Sequence, residues 1–160
     1  MGLLPRFRDC FFCSPDGEGL KMQMQIEDET VFATFTLDHK FQGYSNIAHA
    51  GIVTGILDET MWWTVFIKTR QLWMTRKMEI ELLRPVFCGH AYRVEGRFIG
   101  QHDGNIDVSA AIQDLDGKVA TRATALFRLG RNIQRDAFIE KLDFLDVSSE
   151  IREMLLAALR

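Results

Sequence analysis

Apolar and polar residues alternate regularly over much of this chain, which predicts strands with one apolar face. The predicted strands lie at residues 21–27, 30–37, 76–86, 91–101, 105–114 and 119–129. In the strand over 76–86 the apolar positions are Met78, Ile80 and Leu82. Turn-forming pairs that supply positive φ separate the later strands: Cys88-Gly89, Asp103-Gly104 and Asp116-Gly117. The pattern therefore predicts an antiparallel meander of about six strands.

The longest apolar stretch, residues 47–67, is apolar on nearly all sides but carries Asp58 and Glu59 near its middle. It is long enough to span a bilayer, yet two carboxylates at the centre and no flanking basic cluster argue against insertion. A sheet with one apolar face must bury that face against another element. We therefore expect an α+β fold in which the antiparallel sheet wraps around a long central helix, with no membrane association.

The last segment has apolar residues at helical spacing and predicts two short amphipathic helices. Ser148 or Ser149 is suited to cap the second of them. The expected organisation is one main domain over residues 1–131, with residues 132–160 forming a C-terminal helical extension of the same domain.

Composition agrees with a single folded domain. The 160 residues are 47% hydrophobic and 26% charged, with a net charge of −3. No lysine or arginine cluster builds the basic surface that a nucleic acid requires, so nucleic acid is excluded as a partner. The three cysteines are an odd number, and the opening MGLLPRFRDC lacks the pattern of a signal peptide. These features predict a reducing, cytoplasmic setting.

The spacing of the cysteines is compared with the patterns of metal and redox sites. Cys10 and Cys13 form a C-x-x-C pair that, with Cys88 and His90, offers four zinc ligands. The second pair does not have a standard spacing, and the strand-to-helix context of a thioredoxin-type motif is missing. The sequence therefore predicts no metal and no cofactor.

The most specific segment is FQGYSNIAHAGIVTGILDETM, residues 41–61. A polar, glycine-containing loop leads into the start of the helix, where free backbone N–H groups can hold an anion or a polarised carbonyl oxygen. Asp58 lies among apolar neighbours, and desolvation should raise its pKa. This carboxylate is the candidate base or nucleophile.

Ala50 and Asp58 cannot serve one reacting carbon from the same helix. They are eight residues apart, or about 12 Å along the axis, whereas reacting atoms approach to about 3 to 3.5 Å. If both act, the helix start of one subunit must meet Asp58 of another, which predicts a homodimer with a two-fold axis.

This segment resembles hotdog-fold acyl-CoA thioesterases of the phenylacetate-pathway branch. The pattern of that branch is a phenylalanine, a Gln-Gly pair, His-Gly-Gly, and an acid nine residues after the histidine; here the histidine is followed by Ala50 and Gly51, and the acid is Asp58. CFFCSPDGEGLKM and MTRKMEIELLRPV add to the resemblance, which covers residues 10–129. It implies a hotdog fold, a dimer or dimer of dimers, and hydrolysis of a small to medium acyl-CoA or aryl-acyl-CoA without a cofactor.

The resemblance also implies roles for single residues. Asp58 is the general base or nucleophile, and the backbone N–H of Ala50 is the oxyanion donor, although alanine replaces the usual glycine there. Thr75 orients the attacking water, or is simply a residue at the start of a strand. His49 positions the loop and the substrate carbonyl, or caps its own helix.

Further residues are expected on the substrate side. Those assigned to substrate binding are Gln42, Asn46, Gly51 and Glu59. Those that suit the phosphates of CoA are Arg84, Arg97 and Arg122. The three tryptophans, Trp62, Trp63 and Trp73, either fill the core or an interface or form one wall of an acyl pocket. Two other functions remain open, a non-catalytic acyl-CoA-binding hotdog protein and, ranked last, a hydroxyacyl-thioester dehydratase.

Overall fold

One long helix packs against an antiparallel sheet in the computed structural model, which describes residues 1–131 and 133–159. The strands are β1 (Gly2–Leu3), β2 (Arg6–Phe7), β3 (Gln25–Glu27), β4 (Thr30–Thr36), β5 (Gln42–Tyr44), β6 (Ile47–Ala48), β7 (Trp73–Leu82), β8 (Ala91–His102), β9 (Asn105–Asp114), β10 (Val119–Leu129) and β11 (Leu142–Asp143). The helices are α1 (Ala50–Thr69), α2 (Arg135–Glu140) and α3 (Ser149–Leu159).

The main sheet has seven strands in the order β1-β3-β4-β8-β9-β10-β7, and all neighbouring strands are antiparallel. It contains all six predicted strands, and β1 is the additional one. Two small ribbons, β2–β11 and β5–β6, lie outside this sheet. Gly89, Gly104 and Gly117 all have positive φ, so the predicted turns are confirmed. The α+β prediction is confirmed, with β7 and β1 as the edges of the sheet.

Helix α1 forms the centre of the core. It contacts β4, β7, β8, β9 and β10, and Ile56, Leu57 and Met61 are fully buried. The helix approaches β8 closely at Gly96, where any added Cβ would overlap the Thr64 side chain. Burial of this apolar surface is the main stabilising contribution expected for such a core.

The helix begins three residues after the start of the apolar stretch at residue 47. Residues 47 and 48 form β6 instead of the first helical turn, because the Ala48 N–H donates to the Val86 carbonyl at 2.8 Å. The N–H of His49 similarly donates to the Phe41 carbonyl at 2.9 Å. These long-range bonds hold the backbone extended, and α1 begins only at Ala50.

Leu82 also departs from the expected pattern. Met78 and Ile80 are half-buried, but Leu82 is 57% exposed. It lies at the end of an edge strand and lines an open cleft beside the start of α1 rather than the core.

Two helices follow the sheet, as predicted. The ring of Phe138 in α2 lies 4.6 Å from that of Phe7 and 5.7 Å from that of Trp62, centroid to centroid, so the extension packs on the main domain. The Ser148 hydroxyl accepts from the Ile151 N–H at 3.3 Å and caps α3. The end residues of the expected extension, 132 and 160, lie outside the described part of the chain. No helix in that described part is both long and apolar enough to cross a membrane.

Candidate functional site

The first part of the site is the N-terminus of α1, where one backbone donor is free. His49 is the N-cap, and its Nδ1 accepts from the Gly51 N–H at 2.9 Å. Its carbonyl accepts from Ile52 at 2.9 Å and from Val53 at 3.1 Å. Within residues 1–131 and 133–159, nothing accepts a hydrogen bond from the Ala50 N–H. That group is therefore available to a ligand at the positive end of the helix dipole.

The loop before the helix is held by its own polar side chains. The Gln42 Oε1 accepts from the Asn46 N–H at 3.1 Å, and the Asn46 amide donates to the Cys88 carbonyl at 3.4 Å. The Asn46 Oδ1 is buried and has no hydrogen-bond partner in the described part of the chain. Gln42 is exposed and lies opposite Ala48 in the β5–β6 ribbon. The structure thus brings Gln42 and Asn46 together in the loop that precedes α1.

A cleft of about 450 Å³ opens at this helix start. Its lining is mostly apolar and comes from the loop, the first turns of α1 and the segment after β7: Gly43, Tyr44, Ile47, Ala48, His49, Ala50, Val53, Leu82, Leu83, Arg84, Pro85 and Val86. Ligand-sized clefts that are apolar with few polar groups are typical binding sites. Leu83 and Pro85 are lining residues that no motif indicates, although the adjacent leucines at 82 and 83 break the strand alternation and signal a change of exposure.

The second part of the site is Asp58, two turns further along α1. The Thr75 hydroxyl donates to the Asp58 Oδ1 at 2.7 Å. Burial raises the pKa of the Asp58 carboxyl, and the Thr75 hydrogen bond partly offsets this by lowering it. The carboxylate is thus half-buried, oriented by one donor, and placed to accept a proton or attack a carbonyl.

Two tryptophans hold β7 against this part of the helix. The Trp62 indole N–H donates to the Trp73 carbonyl at 3.0 Å, and the Trp73 indole N–H donates to the Thr69 hydroxyl at 2.9 Å. Trp73 lies two residues before Thr75 on the strand, so these bonds position the Thr75 hydroxyl. Both indoles satisfy their N–H groups while filling space between helix and sheet, as buried tryptophans usually do.

A β-bulge directs Thr75 towards the helix. The pairing of β7 with β10 shifts register between Leu126 and Phe127, so Arg76 is an extra residue on β7. Thr75 lies opposite Phe127 and Met78 lies opposite Ala125, and the side chains of both partners are buried in the core. The extra residue puts Thr75 on the same face as Met78, which strict alternation would not do.

Glu59 lies apart from the Asp58–Thr75 pair. Its carboxylate faces Cys10, with 3.9 Å between the Cys10 Sγ and the Glu59 Oε2. Burial, together with the neighbouring Cys10, raises the pKa of Glu59 to about 7. Cys88, one of the four residues considered as zinc ligands in the sequence, is buried in another part of the core. Its N–H donates to the Asn46 carbonyl.

Of the arginines considered for CoA phosphates, Arg84 lines the cleft. Its guanidinium also donates to the Val119 carbonyl at 3.3 Å. Arg122 instead pairs with Glu81 on the neighbouring strand. Arg97 lies in β8 and lines a different depression, on the sheet surface.

No protein-family model and no curated protein matches this chain. Solved structures do match it. A thioesterase superfamily protein superposes with a TM-score of 0.61 at 21% identity, over 66% of this chain and 55% of that chain. The chain thus spans about half the length of that protein.

Two further structures match over most of their own length. The PaaI protein from the phenylacetic acid degradation operon of E. coli has a TM-score of 0.64 at 13% identity, over 69% of this chain and 80% of that chain. A Streptococcus mutans protein bound to acetyl CoA has a TM-score of 0.62 at 20% identity, over 68% and 88%. The chain therefore has the hotdog fold, and its structural neighbours are thioesterase superfamily proteins, including those related to phenylacetic acid degradation.

Proposed function

We propose that this protein is an acyl-CoA thioesterase that hydrolyses small to medium acyl or aryl-acyl thioesters. The observation that carries the proposal is the hydrogen bond from the Thr75 hydroxyl to Asp58, a residue of the same helix α1 whose N-terminus leaves the Ala50 N–H free. These are the two groups that thioester hydrolysis needs: a base or nucleophile and an oxyanion donor.

The two groups belong to different subunits in this proposal. They are separated by about 12 Å along α1, so one chain cannot bring both to the same carbonyl. In a two-fold dimer, the Ala50 end of one helix faces Asp58 of the other, which makes two equivalent sites. The dimer, or a dimer of dimers, is thus part of the proposed mechanism.

The reaction follows from these positions. Asp58 takes a proton from water as the hydroxide adds to the thioester carbonyl, or its carboxylate adds directly and the resulting anhydride is then hydrolysed. In both routes the carbonyl oxygen becomes an oxyanion held by the Ala50 N–H, and the C–S bond breaks to release the CoA thiolate, which is protonated on leaving. Thr75 orients Asp58 and the attacking water.

The cleft supports the choice of substrate. Its apolar wall, which includes Val53, Leu82 and Leu83, suits an acyl chain or the pantetheine arm. In this proposal Gln42, Asn46 and Gly51, from the loop and the helix start, contact the thioester. Arg84 offers a cation to the CoA phosphates. The acetyl CoA bound to the Streptococcus mutans neighbour supports CoA as the carrier. The free thiols of all three cysteines accord with a cytoplasmic setting.

The test is thiol release from a panel of acyl-CoA and aryl-acyl-CoA substrates. Asp58→Asn should lower kcat by about 10²- to 10⁴-fold, the usual contribution of a general base. Asp116→Asn, in an exposed hairpin turn, is the matched control and should leave turnover unchanged. Full turnover in Asp58→Asn would overturn the proposal, and binding of CoA thioesters without hydrolysis by the wild type would favour a non-catalytic acyl-CoA-binding protein.

A further inference from the structure

A second group of reactive side chains lies on the flank of α1, away from the Asp58–Thr75 pair. The Sγ atoms of Cys10 and Cys13 and a carboxylate oxygen of Glu59 all lie within 4.8 Å of one another. The cysteines come from the N-terminal segment, here residues 8–24 between β2 and β3. The glutamate lies in the middle of α1, 49 residues after Cys10. Cys13 is fully buried, and the other two residues are half-buried.

We propose that Cys10, Cys13 and Glu59 bind one divalent cation of the zinc class, with water as the fourth ligand, and that this cation pins the N-terminal segment to α1. The site does not depend on the proposed thioesterase activity. It uses a different set of ligands from the four considered in the sequence, since Cys88 lies in another part of the core.

Backbone N–H groups donate to the sulfur atoms of both cysteines. The Phe12 N–H donates to the Cys10 Sγ at 3.3 Å, and the Phe7 N–H donates to the Cys13 Sγ at 3.4 Å. The Ser14 N–H donates to the Cys10 carbonyl at 3.0 Å, which closes a turn around the C-x-x-C pair. Hydrogen bonds from outer groups of this kind orient metal ligands and tune their charge.

In the part of the chain that the structure describes, no strong hydrogen bond reaches the buried Glu59 carboxylate. Its Oε1 is buried and accepts no hydrogen bond from the described part of the chain. The Cys10 thiol lies 3.9 Å from the Oε2, which is too long for a strong bond. The Trp63 indole N–H interacts with this carboxylate and lowers its pKa, but within residues 1–131 and 133–159 it reaches no acceptor at hydrogen-bonding geometry. An unpaired buried charge is costly, whereas buried charges that coordinate a metal are compensated. A cation between the carboxylate and the two sulfurs would supply that compensation.

The donor set selects the class of cation. Magnesium and calcium require oxygen ligands, whereas two thiolates with one carboxylate suit zinc and its neighbours. With Zn–S about 2.3 Å and Zn–O about 2.0 to 2.2 Å, ligand atoms of a tetrahedral site lie about 3.5 to 4 Å apart. The observed spacing of at most 4.8 Å therefore needs only a small contraction, and three protein ligands leave one position for water.

The direct test uses the full-length protein, reduced and stripped of metal with a chelator, and titrated with cobalt and then zinc. We expect one cobalt per chain with a thiolate-to-cobalt charge-transfer band and the intense visible bands of a tetrahedral site, both displaced by zinc. Loss of a group that only supports a metal ligand weakens metal affinity by about 10- to 100-fold. Glu59→Gln and Cys13→Ala each remove a ligand and should weaken the affinity for cobalt by more than that. Cys88→Ala is the matched control and should bind like the wild type.

A second measurement needs no variant and so does not depend on their folding. Zinc should slow alkylation of Cys10 in the wild type by more than about tenfold, since a metal-bound thiolate is a poor nucleophile compared with the free one. Mass mapping would identify the site of alkylation. An unchanged alkylation rate, a cobalt spectrum without thiolate character, or equal affinity of wild type and Glu59→Gln would each overturn the proposal. Recovery of a Cys10–Cys13 disulfide in place of metal binding would do the same.

Discussion

The Thr75 hydroxyl donates a 2.7 Å hydrogen bond to the Asp58 Oδ1, joining the edge strand of the sheet to the middle of the central helix. The bond spans 17 residues of sequence, and the β-bulge at Arg76 gives Thr75 the orientation that makes it. It is the only hydrogen bond to the Asp58 side chain within residues 1–131 and 133–159. The orientation of the proposed catalytic carboxylate therefore depends on this threonine.

We expect Thr75→Val to lower kcat by about 10- to 100-fold, because a hydrogen bond to a charged group contributes about 1.5 to 3 kcal/mol. Valine keeps the shape of the side chain and removes only the hydroxyl. Thr75→Ser, which retains the hydroxyl, is the matched control and should keep most of the activity. Steady-state kinetics with the best acyl-CoA substrate measures both. Equal kcat values for the valine and serine variants would show that the hydroxyl has no part in turnover.

Ala50→Pro removes the one backbone donor that we assign to the oxyanion. Proline is tolerated at the first position of a helix, and the His49 backbone at φ −59° and ψ 135° is compatible with a following proline. The variant should therefore fold, with kcat reduced by about 10²- to 10³-fold, as for other oxyanion donors. Ala50→Ser keeps the N–H and serves as the control. Wild-type turnover in Ala50→Pro would exclude this donor.

Mixing the inactive Ala50→Pro and Asp58→Asn chains tests whether the site is shared between subunits. A mixed dimer contains one site with the Ala50 N–H of one chain and Asp58 of the other, both intact. After unfolding and refolding an equal mixture, activity should return to about a quarter of the wild-type value, because half of the dimers are mixed and each has one working site. If each site lay within one chain, mixing would restore no activity.

The His49 side chain stabilises the start of α1, since its Nδ1 accepts from the Gly51 N–H. Replacement by alanine should lower the free energy of unfolding by about 0.5 to 2 kcal/mol, the usual cost of losing an N-cap. His49→Asn restores an acceptor at this position and should recover most of the loss. Urea denaturation followed by circular dichroism provides the measurement. A larger loss for asparagine than for alanine would argue against capping.

Gly96 and Gly100 offer a matched pair on β8. A Cβ at Gly96 would overlap the Thr64 side chain, whereas a Cβ at Gly100 meets nothing within 4 Å. Gly96→Ala should destabilise the protein by about 1 to 3 kcal/mol through overpacking, and Gly100→Ala should leave stability nearly unchanged. Thermal unfolding compares the two. Equal melting temperatures would mean that a Cβ at Gly96 can be accommodated beside Thr64 and that α1 and β8 are not closely packed there.

Much of the fold followed from local patterns. The bounds predicted for β9 and β10, 105–114 and 119–129, agree with the structure because alternation and turn-forming glycines both act over a few residues. A long apolar stretch predicts the central helix, and apolar residues at helical spacing predict the two C-terminal helices. The central helix begins three residues after the start of the apolar stretch, because hydrogen bonds to Phe41 and Val86 hold residues 47–49 extended.

By itself, the sequence determined an antiparallel sheet around an apolar helix and an acid in that helix, since hydrophobic periodicity and the desolvation of Asp58 are local properties. Only the tertiary structure decided which side chains meet these elements. The bulge at Arg76 reverses the alternation that would have turned Thr75 away from the helix. Glu59 meets Cys10 and Cys13 only because the N-terminal segment folds back onto α1. Contacts between residues far apart in the chain depend on register and packing, which no local pattern specifies.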